Sequence, residues 1–413
     1  MGVVAPNAVG LRNFDEAIRR GVSGIRFDQK LAELNFSCQI AGKPDIPEEL
    51  AAQYFSELEL RNFAADGISY GVIAATDAWK DAGLEINEKP DYDSGTIFGA
   101  GTSGIEKFRE SIYKIDDGQA RRLGSTAVAQ TMSSGVSAYI AGKLGLGNQV
   151  STNSSACTTG TESILMAYER IKSGRAKRMI AGATSDSGPY IWAGFDAMKV
   201  CTFKHNDSPG KGSRPMSETA SGFVPGSGAG ALVLESLESA LERNAMIYCE
   251  ILGGNVNSGG QRGQGSMTAP NPEAVQKCIV DALADANIKA ADIDTVNGHL
   301  TATSKDSLEI ANWAAALGRN GKDFPMINSL KSTVGHCLSA AGAIESVATI
   351  LQLHHGFIFP NVNCEDLHPE IVSIVDNSCI PMHFIEKSVK IAAKASFGFG
   401  DVNGCVIFGS YKF

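Results

Sequence analysis

Ser151-Thr152-Asn153-Ser154-Ser155-Ala156-Cys157-Thr158-Thr159-Gly160 is a polar run that ends in a cysteine and a glycine. Directly after it, apolar residues recur at helical spacing, which predicts a helix over Gly160 to Lys172. Cys157 therefore stands at a strand-to-helix corner. A thiol there faces the unpaired N–H groups and positive dipole end of the helix, which favours thiolate and predicts a lowered pKa. An isolated cysteine is more often a small buried apolar residue. The polar run and the glycine favour a nucleophile at this one.

Working outward, a second corner echoes the first. His336-Cys337-Leu338-Ser339-Ala340-Ala341-Gly342 leads into Glu345-Ser346-Val347 and a helix ending before Gly356, much as Cys157 and Gly160 lead into Glu162-Ser163-Ile164 and Gly174. This faint repeat would bring Cys157 and His336 to a shared site. Runs at Ser94 to Gly99, Met179 to Ala183 and Gly230 to Leu234 read as buried strands, and Ala340 to Leu353 as a second helix. Strands alternating with helices and Gly-rich turns give an α/β fold class. At 413 residues two core-forming halves are expected. The division falls near Glu235, before the charged helix Leu237 to Arg243: residues 1–235 carry the nucleophile and 236–413 carry two candidate histidines.

Composition excludes several classes. A net charge of -9 disfavours an extended nucleic-acid surface. No run of about eighteen apolar residues occurs, and Met1-Gly2-Val3-Val4-Ala5-Pro6 lacks a basic leader, so no membrane span and a cytoplasmic chain are expected. The nine cysteines include no CxxC pair and no zinc-like Cys/His spacing, so reduced core thiols and no metal are expected. His205, His354-His355, His368 and His383 also lack ligand spacing. Gly99-Ala100-Gly101-Thr102-Ser103-Gly104 fits GxGxxG, but the acidic residue about twenty positions later is missing, and it reads as a tightly packed turn. Arg170, Lys172, Arg175, Lys177 and Arg178 read as a solvated helix end.

Two histidines sit at loop ends. His299 lies at a strand end in Val296-Asn297-Gly298-His299-Leu300-Thr301-Ala302-Thr303, a short apolar run that passes into a polar loop, and His336 follows Asn328-Ser329-Leu330-Lys331-Ser332-Thr333-Val334-Gly335. A cysteine with histidines also suits a thiol hydrolase, which needs one imidazole base and an Asn or Asp to orient it. A thioester synthase instead needs two neutral imidazole donors for the enolate formed as carbon dioxide leaves. Two histidines favour the synthase.

With these residues in view, the chain resembles the β-ketoacyl-acyl carrier protein synthases, the elongating type II condensing enzymes of the thiolase superfamily. The resemblance spans essentially the whole chain. Its landmarks are Ser154-Ser155-Ala156-Cys157, Gly222-Phe223-Val224, Gly298-His299, Asn328-Ser329-Leu330-Lys331 through Gly335-His336, and Ser396-Phe397-Gly398-Phe399-Gly400. It implies a thiolase-like αβαβα fold of two similar halves, no cofactor, acyl carrier protein as partner, and a homodimer or a heterodimer with a related ketosynthase subunit. It also implies roles. Cys157 takes the acyl chain, with the N–H groups of Cys157 and Phe399 as oxyanion hole. His299 and His336 donate to the malonyl carbonyl as it becomes an enolate. Lys331, paired with Glu345, holds the site electrostatically, Phe399 gates it, and Phe223 and Phe397 support it.

Other members of this fold serve as contrasts. A non-catalytic chain-length subunit lacks the nucleophile that Cys157 supplies here. A non-decarboxylating thiolase needs a second cysteine, where this chain has Phe397 and Phe399. Departures from the family pattern are His299-Leu300-Thr301-Ala302-Thr303, with a loop to Asp306 and Glu309 one residue shorter, Pro215 to Ser221, Gly226-Ser227-Gly228-Ala229, and Gly400-Asp401-Val402-Asn403. They point away from housekeeping fatty-acid specificity, toward a specialised polyene or polyketide ketosynthase. The first strand is expected to be shortened. Lys204, Lys211, Arg214 and Lys305 are candidates for docking an acidic carrier helix.

Overall fold

The computed structural model describes residues 1–61, 63–86 and 88–411. One arrangement of five strands occurs twice in the chain. The first sheet holds β1 (Gly2–Ala5), β2 (Ala8–Val9), β3 (Ser94–Ala100), β4 (Val150–Ser151), β5 (Arg178–Ser185) and β6 (Gly228–Glu235), ordered β2-β1-β6-β5-β3-β4. The second holds β7 (Glu250–Ser258), β8 (Thr295–Asn297), β9 (Met326–Asn328), β10 (Ile391–Gly398) and β11 (Val402–Gly409), ordered β9-β8-β10-β11-β7. In each sheet three neighbours run parallel (β4, β3, β5 and β9, β8, β10), followed by two antiparallel pairings. Apart from β2, the halves match strand for strand.

Helices fill three layers around these sheets. Helices α1 (Asp66–Asp81) and α2 (Gly135–Leu144) cover the outer face of the first sheet, while α4 (Pro272–Asp285) and α5 (Asp306–Leu317) cover the outer face of the second. Between the sheets lie α3 (Thr159–Lys172) and α6 (Ala341–His355). Every residue of α6 from Ala341 to Leu353 is buried, as expected of a helix apolar on all sides and packed between two sheets. This is the αβαβα order.

The two central helices cross at glycines. A Cβ on Gly160 would lie 2.5 Å from the Ala343 nitrogen, and one on Gly342 would lie 2.5 Å from Thr161 Oγ1. Each glycine thus meets the residue that follows the other, a reciprocal contact that places the crossing on the axis of the repeat. A single turn of 3-10 helix precedes each: Ala156–Thr158 before α3 and Leu338–Ala340 before α6. The counterpart of Cys157 in the second half is therefore Ser339.

Each predicted strand lies inside β3, β5 or β6, and the charged helix forms over Leu237–Glu242. The GxGxxG turn packs as expected, since a Cβ on Gly99 would approach Thr159 to 2.2 Å. β1 is four residues long. The basic run is only partly solvated: Arg178 is drawn in between Asp91 and Glu235, at 3.4 Å from each, and Lys172 and Lys177 pair with Asp285 and Asp93. Among the described residues no helix is long and apolar enough to cross a membrane.

Candidate active site

Ala156 adopts a left-handed backbone with φ at +50°, a conformation that costs a non-glycine residue about 1–2 kcal/mol. That turn sets Cys157 at the head of α3, 8% exposed. The other reactive groups come from the carboxyl ends of the parallel strands in the second sheet: His299 two residues after β8, Lys331 and His336 after β9, Phe399 after β10. The Cys157 sulfur and one ring nitrogen from each of His299 and His336 lie within 4.8 Å of one another. The imidazoles meet edge to face with centroids 5.3 Å apart. The backbone N–H of Phe399 is directed at the thiol.

Both imidazoles are held neutral. Burial depresses each pKa well below the usual imidazole value, and the charge of Lys331 adds to the effect; for His299 the neighbouring His336 and then Lys394 follow, for His336 Lys394. The Leu338 N–H donates to His336 Nδ1, which leaves the ring proton on Nε2. His299 Nδ1 is buried without a hydrogen-bond partner among the described residues.

The thiol departs from expectation. Burial pushes Cys157 up to about 11, although Lys331 and the Phe399 N–H pull the other way. At this corner the loss of hydration outweighs the helix end, so the predicted lowering of the pKa is not found and the resting group is a thiol. These three soft donors also have a metal-like spacing, but no fourth Cys, His, Asp or Glu joins them among the described residues, as a closed zinc site requires.

Two buried carboxylates on α5 hold the His299 loop. Glu309 accepts the N–H groups of His299 and Leu300 at 2.6 and 2.7 Å. Asp306 accepts those of Met216, Thr301 and Ala302 at 2.9, 2.9 and 3.1 Å. Burial raises both pKa values, that of Glu309 to about 7. These holding roles were not read from the sequence, although the i, i+3 spacing puts both carboxylates on one helix face. Ala302, with φ at +63°, accepts the Gly222 N–H at 3.0 Å, so the shortened loop closes on the Phe223 segment.

Lys331 is buried and ion-paired with Glu345 Oε1. Lys394 on β10 was missed altogether; its Nζ lies 2.8 Å from Glu345 Oε2 and 3.2 Å from Ser396 Oγ. The available signal was a lysine inside the run Ile391-Ala392-Ala393-Lys394-Ala395. Aromatic rings wall the site: Phe223 lies 5.2 Å from His336, Phe397 6.2 Å from His299, and the unpredicted Phe195 lies 5.6 Å from Phe223 and 6.0 Å from Phe399. Asp401, buried with φ at +62°, accepts the N–H groups of Gln261 and Asn271 and so ties the Phe399 loop to residues 261–271. Of the docking candidates, Lys204, Lys211 and Lys305 are exposed. Arg214 is not free, because it pairs with Asp366 at 2.7 Å and Glu365 at 3.3 Å.

A duplicated five-layer fold with a thiol from one half facing two imidazoles from the other defines a thiolase-like condensing enzyme. Comparison with known proteins narrows the class. The β-ketoacyl synthase N-terminal domain matches residues 1–240, and the β-ketoacyl synthase C-terminal domain matches residues 248–365. The 3-oxoacyl-[acyl-carrier-protein] synthase 2 of Vibrio harveyi is 32% identical over 412 residues, covering 99% of this chain and 96% of that protein. Among solved structures, the ishigamide ketosynthase/chain length factor superposes with a TM-score of 0.88 at 26% identity, covering 100% of this chain and 98% of that one. A type II polyketide ketosynthase in complex with its acyl carrier protein (AntDE:AntF) gives 0.87 at 27% identity, covering 99% and 98%. The chain belongs to the β-ketoacyl synthase family. It is a condensing enzyme, an acyltransferase.

Proposed function

We propose that this chain joins an acyl group held on Cys157 to a malonyl group carried by acyl carrier protein, in fatty acid or type II polyketide synthesis. The observation that carries the reading is one buried thiol facing two neutral imidazoles. In the first half-reaction the Cys157 thiol gives up its proton and its sulfur attacks the acyl thioester carbonyl, the oxyanion resting on the N–H groups of Cys157 and Phe399. The carrier thiol leaves with a proton. In the second, the bond from the malonyl carboxylate breaks, carbon dioxide departs, and the electron pair becomes an enolate whose oxygen accepts from His299 and His336. The enolate carbon then attacks the acyl-Cys157 carbonyl, the C–S bond breaks, and the thiol is reprotonated. Lys331, set by Glu345, supplies positive potential throughout.

Phe399 gates the thiol and Phe223 and Phe397 shape the cavity beside the imidazoles. The dividing line at Glu235 has support from β6 ending there and β7 beginning at Glu250. The partner is an acyl carrier protein, the assembly a homodimer or a heterodimer with a related subunit, and the compartment the cytoplasm. The non-catalytic chain-length reading has no better support, since Cys157 is present. The altered loops at Leu300 to Thr303 and Asp401 favour a specialised polyene or polyketide substrate over housekeeping chains.

The test is product analysis with a panel of acyl carrier thioesters and malonyl carrier protein. A carrier-bound product longer by two carbons, with carbon dioxide released, is expected. Free acid alone would indicate a thiol hydrolase instead.

A further inference from the structure

Glu345 is a single carboxylate between two buried ammonium groups. Lys331 takes Oε1 from the turn after β9, and Lys394 approaches Oε2 to 2.8 Å from β10. Neither lysine is more than 1% exposed, and Glu345 is equally buried. In the register of the second sheet Lys394 lies beside Asn297, two residues before His299. A buried pair is neutral overall, but a buried trio of this kind leaves one cation unmatched, which folding alone disfavours because an uncompensated ion loses its hydration. Departures of this kind from what favours folding are found at functional sites.

We propose that Lys394 is an electrostatic positioning residue of the condensing site. By occupying the second oxygen of Glu345, it leaves the charge of Lys331 uncancelled beside Cys157, His299 and His336, so that the resting site favours the anionic malonyl group and the enolate formed from it. This rests on the condensing reading given above. The charge count stays favourable through the second half-reaction, since the malonyl carboxylate brings one negative charge and the enolate retains it after carbon dioxide leaves.

The groups facing this trio come from every neighbouring element. They are His299 after β8, His336 and Cys337 after β9, Glu309 on α5, Cys405 on β11 and Cys157 at the head of α3. Burial holds the three thiols protonated and the imidazoles neutral. Burial also lowers the pKa of Lys394, with the charge of Glu345 opposing it, and Glu309 changes charge near neutrality, at about 7. Below that pH it is uncharged and the excess cation is undiluted, so the effect is read most cleanly at about pH 6.

Lys394→Met keeps the length of the side chain and leaves Lys331 and Glu345 as a balanced pair. A charge about 10 Å away at an effective dielectric of about 20 moves a pKa by about one unit. The acid limb of malonyl decarboxylation, set by protonation of the imidazoles, is therefore expected to move up by about one pH unit. The thermal midpoint of the variant should equal or exceed that of the wild type, because an unmatched buried cation has been removed. Lys394→Met/Glu345→Gln again has one unmatched cation, Lys331, and should return the limb toward the wild-type position. A limb unmoved by Lys394→Met, or a double variant displaced further, would assign Lys394 to packing and overturn the proposal. If the single variant does not fold, the double variant decides alone: a wild-type limb supports the proposal and a shifted one overturns it. Failure of the condensing reading is seen separately, as free acid and no carrier-bound product longer by two carbons from the wild type.

Discussion

The backbone N–H of Leu338 donates to Nδ1 of His336 at 3.1 Å, so the ring that faces Cys157 carries its proton on Nε2. A base in a hydrolase would need that nitrogen bare. A protonated Nε2 is a hydrogen-bond donor, as the proposed role of His336 beside His299 in holding an enolate requires.

His336→Ala and His299→Ala are each expected to slow malonyl decarboxylation by about 10²–10³-fold, the loss typical of an oxyanion donor. Acyl transfer to Cys157 should stay within about tenfold of wild type, because its oxyanion rests on backbone N–H groups. Carbon dioxide release and the rate of the mass shift on Cys157 measure the two halves separately. Equal losses in both would remove the division of labour. Because both imidazole pKa values lie well below the usual one, wild-type decarboxylation should show no loss from imidazole protonation between pH 8 and about 6.5.

Cys157 rests as a thiol raised to about 11. Its alkylation by iodoacetamide should therefore rise about tenfold per pH unit from 7 to 10, without a plateau. A plateau below pH 8 would mean a thiolate in the resting enzyme.

Gly160→Ala tests the crossing of α3 and α6. The new methyl would sit 2.5 Å from the Ala343 nitrogen in a backbone contact that cannot rotate away. A loss of about 3 kcal/mol or more in unfolding free energy is expected, at the upper end of overpacking effects. Loss below about 0.5 kcal/mol would show that the helices separate easily.

Docking should depend on the free cations and not on Arg214. Reversing Lys204 and Lys305 together is expected to raise the KM for carrier-bound substrate several-fold and to weaken its salt dependence, leaving a small pantetheine thioester unaffected. Equal losses with both substrates would place these lysines in the catalytic structure.

The duplicated fold was legible because buried strands and all-round apolar helices leave continuous signals, as at β3, β5 and α6. Cys157 and His336 were legible because each ends a polar turn before an apolar helix, and His299 because it follows a glycine at a strand end. What remained hidden is long-range. Lys394 is marked only by the apolar run around it, which does not show Glu345 as its partner, and Asp306 and Glu309 look like helix-surface acids until the loop folds over them. The thiol pKa was misread because a sequence shows the helix start and not the depth of burial that opposes it. The ion pairs of Arg214 were hidden because its partners, Glu365 and Asp366, lie far along the chain.

The central claim is that the acyl group passes through Cys157. Intact-mass measurement of the wild type and Cys157→Ala, each incubated with acyl carrier thioester and then with malonyl carrier protein, tests it directly. The account predicts one acyl adduct on the wild type, discharged on adding malonyl carrier protein, and neither adduct nor condensation product from a folded Cys157→Ala. An adduct on the variant, or condensation without one on the wild type, would contradict it.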